Sequence, residues 1–118
     1  MKEEILKQLQ GTGFPIIVYS KYGTNYQKIT ADFVTFDGSD FWKLPTLSEL
    51  IEGCNPVKAD EFGVMTDTTR NWTAFYSYHG YFEHNEKFLQ SDGLYELSLN
   101  VYGDTPEESV ASLWLALN

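Results

Sequence analysis

LYELSLNVYGDTPEESVASLWLALN, residues Leu94 to Asn118, changes its period at Gly103 and Asp104 and so reads as strand, tight turn and closing helix. In the first half Tyr95, Leu97, Leu99 and Val101 point one way, and Glu96, Ser98, Asn100 and Tyr102 point the other. In the second half Thr105 is placed to cap a helix through its hydroxyl, and Pro106 fits a first turn that needs no amide donor. Glu108 stands at the capping-box spacing and Glu107 suits the positive end of the helix dipole. Val110, Leu113, Trp114 and Leu117 then recur at i, i+3, i+4 and i+7, an uncharged apolar stripe that needs a sheet to cover.

Working outward, Trp72 to Tyr78 alternates in the same manner, with Trp72, Ala74, Tyr76 and Tyr78 on one face, and is expected to pair antiparallel with the closing strand. Lys2 to Gln10 is a short amphipathic helix carrying Ile5, Leu6 and Leu9, stopped by Gly11 and Gly13. Phe14 to Tyr19 reads as a strand, Tyr22 to Asn25 as a turn, and Gln27 to Phe36 as a second strand forming a hairpin with the first. Asp37-Gly38-Ser39-Asp40 is a turn. Phe41 to Pro45 leads to Thr46, which caps a two-turn helix with Glu49 at the box position, ended by Gly53 and Pro56. Asn55 to Asn71 shows no sustained period and reads as a long connection; a segment of that length either hides a short strand near Gly63 to Thr66 or serves a function. The expected architecture is a single α+β domain over residues 1–118, with a mostly antiparallel sheet of about four strands packed with two or three helices.

The 118 residues suffice for one hydrophobic core, and with 42% hydrophobic and 16% aromatic residues the chain lies far from the composition of disorder. A formal net charge of −9 argues against direct binding of nucleic-acid phosphates and of anionic membranes, and makes basic partners the expectation. A lone cysteine, Cys54, allows no internal disulfide. Met1 to Gln10 carries no secretion signal, and no run approaches the ~18 apolar residues of a membrane span, so a cytoplasmic protein is expected.

Few residues suggest chemistry. His79, Glu83, His84 and Glu86 cluster in sequence, but histidines five apart match neither helical nor strand ligand spacing, and the segment reads as a connecting loop. Cys54 follows a helix end and lacks the cationic neighbour or helix N-terminus that activates a thiol. No phosphate loop, dinucleotide fingerprint or nucleophile elbow occurs. The expectation is therefore a chain without catalytic residues, metal ligands or cofactors, and not an enzyme.

A surface feature stands out instead. Between Asp37 and Asp67 lie seven acids against two lysines, a local balance of −5. Asp37, Asp40, Trp42, Asp60, Glu61 and Asp67 are the candidate partner-binding residues: carboxylates to steer a basic surface and an aromatic anchor to hold it. The plain counterpart is a solvated acidic face.

At Lys43 to Glu52 (KLPTLSELIE) and Tyr102 to Asn118 (YGDTPEESVASLWLALN) the chain resembles small phage and prophage proteins, some of which carry a phage ABA-sandwich domain. The resemblance implies helix-sheet-helix layering and a mobile-element origin, and it transfers no catalytic residue. With the acidic, aromatic surface it leads to a non-enzymatic accessory protein in the host cytoplasm. Its expected partner is a basic host protein or nucleoprotein complex, and its action inhibition of a nucleic-acid-targeting defence complex, of the anti-CRISPR type. The alternative is a small structural or regulatory phage protein acting by self-association.

Overall fold

Alternation and capping produce the expected closing unit in the computed structural model, which describes residues 1–20, 32–66 and 71–118. The turn at Tyr22 to Asn25, the start of the expected strand at Gln27, and Asp67 lie outside the described residues. The described chain falls into two compact units, Met1–Pro45 and Thr46–Asn118.

In the second unit α2 (Leu47–Cys54) precedes β4 (Glu61–Thr66), β5 (Trp72–Gly80), β6 (Tyr95–Gly103) and α3 (Pro106–Leu117). The three strands form an antiparallel sheet in the order β4-β5-β6, with Trp72 opposite Gly103 and Gly80 opposite Tyr95. Ala74, Tyr76, Tyr78 and Leu97 are buried on the inner face, beneath α3, which crosses β5 and β6 and lies against α2. Val110, Leu113 and Trp114 are buried as the stripe predicts, and Ser109 and Ala111 widen it. Thr105 Oγ1 accepts the Glu108 N–H at 3.1 Å, while Glu108 itself is only 5% exposed. The reciprocal box forms at α2: Thr46 Oγ1 accepts the Glu49 N–H, and Glu49 Oε1 accepts the Thr46 N–H, each at 3.1 Å.

At Gly103 the strand passes close against the first turn of α3. A Cβ there would stand 2.5 Å from the Ser109 amide nitrogen, so the turn into α3 requires a residue without one.

The hidden strand is real. β4 pairs with β5 from Glu61↔Ser77 to Thr66↔Trp72, preceded by a 3-10 turn at Pro56–Lys58. Its alternation is hard to read because Gly63 interrupts it; the Phe75 ring, opposite in register, lies over that glycine.

The first unit holds α1 (Glu3–Thr12), β1 (Val18–Ser20), β2 (Phe33–Val34) and β3 (Asp40–Lys43). Gly13 closes α1 in the left-handed region at φ 102°, and the Phe14 N–H reaches the Leu9 carbonyl at 2.9 Å, a helix end that tucks Phe14 into the buried set. Here the expected pairing is corrected. The strands order β1-β3-β2, so β3 stands between the two segments read as a hairpin. Val18 pairs with Trp42, Phe33 with Lys43, and Phe41 to Lys43 is strand rather than a lead-in. The physical reason is the tight turn before it: Asp37 Oδ1 accepts the Ser39 and Asp40 N–H groups at 2.8 and 3.0 Å and folds β3 back on β2. α+β class and antiparallel pairing thus hold, with the described strands shared between two three-stranded sheets.

Candidate functional site

The candidate partner-binding residues divide between the two units. Asp37, Asp40 and Trp42 stand together on the β2–β3 turn and β3, where Trp42 is half-buried with its ring 6.4 Å from that of Phe36. Backbone donors from Asp40 and Ser39 hold the Asp37 carboxyl below its ordinary range. Asp60 and Glu61 stand at the start of β4. There Asp60 Oδ2 accepts the His79 N–H at 2.9 Å, while Glu61 is exposed. Two of these acids therefore fasten backbone as well as contributing charge, a role that turn composition signals for Asp37 and nothing in the sequence signals for Asp60.

On the outer face of the β4-β5-β6 sheet Glu61 and Met65 are exposed, and so are Glu96 and Tyr102 of β6. His79 Nδ1 lies 4.0 Å from Glu96 Oε1 on that face, both side chains more than half exposed. Glu96 and Tyr102 escape a sequence reading of the acidic segment because they lie 29 and 35 residues beyond Asp67, and only strand register puts them on the face of Glu61 and Met65, Tyr102 level with Met65 across Thr73.

A cleft of about 390 Å³ is lined by the ends of α2 and α3, by Lys58 and Tyr76, and by the segment after β5: Gly53, Cys54, Asn55, Glu83, His84, Asn85, Leu117 and Asn118. His84 is packed among tyrosines, its ring 4.4 Å from that of Tyr78 and 5.9 and 6.2 Å from those of Tyr76 and Tyr95. Its Nε2 is buried without a hydrogen-bond partner among the described residues. Burial first, and Lys58 second, push its pKa down, against an opposing hydrogen bond with the Lys58 backbone. Burial thus favours the neutral form of the ring. The expected connecting loop proves only partly solvated, since His84 enters this aromatic cluster while Tyr81 and Phe82 are 76% and 75% exposed.

Cys54 has its Sγ 3.8 Å from the Val110 carbonyl, and burial pushes its thiol up to about 12, so it remains protonated. Burial likewise raises the Tyr76 hydroxyl to about 12. With His79 beside Glu96 and His84 among rings, no three metal-binding side chains gather among the described residues. None of their helices is long and apolar enough to cross a membrane. No family model matches the chain, no curated protein matches it, and no solved structure matches its fold.

Proposed function

We propose that the chain is a non-enzymatic binding protein whose acidic, partly aromatic surface meets a basic protein or nucleoprotein partner. The observation that carries this reading is the outer sheet face, where Glu61 and Glu96 stand exposed towards one end and Met65 and Tyr102 stand exposed together at the other, either side of Thr73, in a chain of net charge −9. Carboxylates exposed to solvent raise the encounter rate with a cationic surface, and a large apolar or aromatic group among them supplies the contact that slows release. Asp37, Asp40 and Trp42 extend the acidic and aromatic character to the first unit. In the form suggested by the resemblance at residues 43–52 and 102–118, the partner is a defence complex with a basic nucleic-acid channel, and occupation of that channel is inhibitory.

Charge reversal at Glu61 and Glu96 tests this without cutting a backbone bond, whereas Asp37 holds two and Asp60 one. Tagged wild-type chain should capture a basic nucleic-acid-binding complex from a host lysate. The Glu61→Lys, Glu96→Lys double variant should associate with the captured complex about tenfold more slowly and with a weaker salt dependence. Equal capture and equal association rates for both proteins would reject the acidic-surface reading, and self-association of both in light scattering would favour the structural alternative.

A further inference from the structure

The loop that follows β5 places its side chains in an inverted manner. His84, the polar member, turns into the unit, its ring 4.4 Å from that of Tyr78 and 5.9 Å from that of Tyr76, while Tyr81 and Phe82 stand 76% and 75% exposed. Burial alone would set them the other way about, with the rings inside and the imidazole in water. The exposed pair is also held from beneath. The Phe82 N–H donates to the Tyr78 hydroxyl at 2.7 Å, Tyr78 is itself buried, and Gly80 passes so close to that hydroxyl that a Cβ there would collide with it. An aromatic side chain on a backbone already ordered loses little entropy when a partner covers it, which is what a binding anchor requires.

Other apolar groups share this end of the sheet. Leu89, 45% exposed, bridges to Tyr95 opposite Gly80, and Val57, 89% exposed, sits in the 3-10 turn whose Lys58 backbone bonds His84. Four of the eight large apolar side chains exposed among the described residues therefore gather where β5 runs out. Single exposed apolar residues need no explanation, whereas a group around an adjacent aromatic pair does. The same end holds the outer-face carboxylates, since Glu96 pairs with His79 one step before Gly80 and Glu61 lies opposite Ser77. Exposed Asp60, Glu61, Glu83, Glu86 and Glu96 stand there against Lys58 and Lys87, and Lys87 is drawn over the Phe88 ring at 5.1 Å. An apolar tip ringed by carboxylates complements an apolar pocket ringed by cations.

We propose that Tyr81 and Phe82 are the anchor by which the chain inserts into an apolar pocket of a partner protein whose rim carries lysine or arginine. This rests on the acidic-surface reading and places its aromatic contact beside the carboxylates, at the end of the face away from Met65 and Tyr102.

The test is an NMR titration of the isotope-labelled full chain with three synthetic peptides of one length and one amphipathic pattern, built from Leu and Lys, from Ser and Lys, and from Leu and Glu. The Leu/Lys peptide should give saturable shifts at Tyr81 and Phe82, and Tyr81→Ser or Phe82→Ser should weaken it about tenfold. The Ser/Lys peptide, held by charge alone, should bind more weakly and equally to wild type and both variants. Both substituted side chains are exposed and the Phe82 bond to Tyr78 belongs to the backbone, so the variants keep the fold, as the dispersion of their spectra checks. Tyr19→Ser, at an exposed aromatic of the first unit, should change neither peptide's affinity. Equal binding of the Leu/Lys and Ser/Lys peptides, indifferent to both variants, would overturn the anchor and leave the acidic-surface reading standing; binding of neither would remove both. The proposal is also overturned by shifts centred on Met65 and Tyr102 that persist in Phe82→Ser, or by a Leu/Glu peptide that binds as tightly as Leu/Lys. Shifts of Tyr81 and Phe82 with neutral phosphatidylcholine vesicles, or on concentrating the chain alone, would assign the loop to a lipid surface or to a second copy and overturn it likewise.

Discussion

Substituting Gly103 by alanine isolates the contact that sets α3 on the sheet. The added carbon would stand 2.5 Å from the Ser109 nitrogen, 2.8 Å from the Glu108 carbonyl carbon and 3.0 Å from the Glu108 Cβ. Ordinary contact begins near 3.4 Å, so the first turn of α3 must retreat by about 0.9 Å, and two of the three obstacles are backbone that cannot rotate away. Overpacking of this kind costs about 1–3 kcal/mol, and the unfolded-state gain of replacing glycine by alanine returns roughly 0.4–1 kcal/mol of it. The net loss of about 1–2 kcal/mol corresponds to a fall in Tm of roughly 4–8 °C for a chain of this size. Gly11→Ala is the control, because a Cβ there meets nothing within 4 Å and the residue lies inside α1. That variant should gain about 0.5–1 kcal/mol, the helix preference for alanine. Paired thermal melts and urea titrations of the two variants read the difference. A Gly103→Ala protein as stable as wild type, or more so, would refute the argument that helix and strand backbones meet at this point.

Three further outcomes are expected. Thr46→Ala and Thr105→Ala should each cost about 1 kcal/mol in urea unfolding, with Thr46→Ala the larger because it opens a reciprocal box. With its thiol at about 12 rather than 9, Cys54 in the folded chain should react with iodoacetamide at pH 8 about a thousandfold more slowly than in urea-unfolded chain. His84, whose folded pKa lies below its unfolded value near 6.5, binds protons more readily when unfolded. Its contribution is therefore complete above pH 6.5 and declines as the pH falls below it. Stability of His84→Gln should change less between pH 7 and 5 than that of wild type, the comparison resting on the slope rather than the absolute value.

The closing unit was legible because three local signals agreed: the alternation of Tyr95 to Tyr102, the capping threonine with Pro106, and the uncharged stripe from Val110 to Leu117. Each depends on residues within one or two turns of one another. β3 was not legible, because Phe41-Trp42-Lys43 is too short for a period to declare itself, and its place between β1 and β2 is decided by tertiary pairing. β4 was half legible, with Gly63 masking an alternation that Phe62 and Val64 otherwise carry. Among the site residues the turn role of Asp37 follows from its Gly-Ser-Asp context. The bond from His79 to Asp60 and the seat of His84 among Tyr76, Tyr78 and Tyr95 join residues six to nineteen positions apart, and composition carries no trace of such contacts.

The middle position of β5 has a consequence for the slowest motions of the second unit. Its amides alternate between partners on β4 and on β6, so from Trp72 to Ser77 no edge of this strand is turned to solvent. The outer strands lose protection by fraying one ladder, whereas β5 exchanges its amide protons only when the sheet opens on both sides and α3 lifts from Tyr76 and Ala74. Proton exchange in β5 therefore clocks the whole opening of Thr46–Asn118.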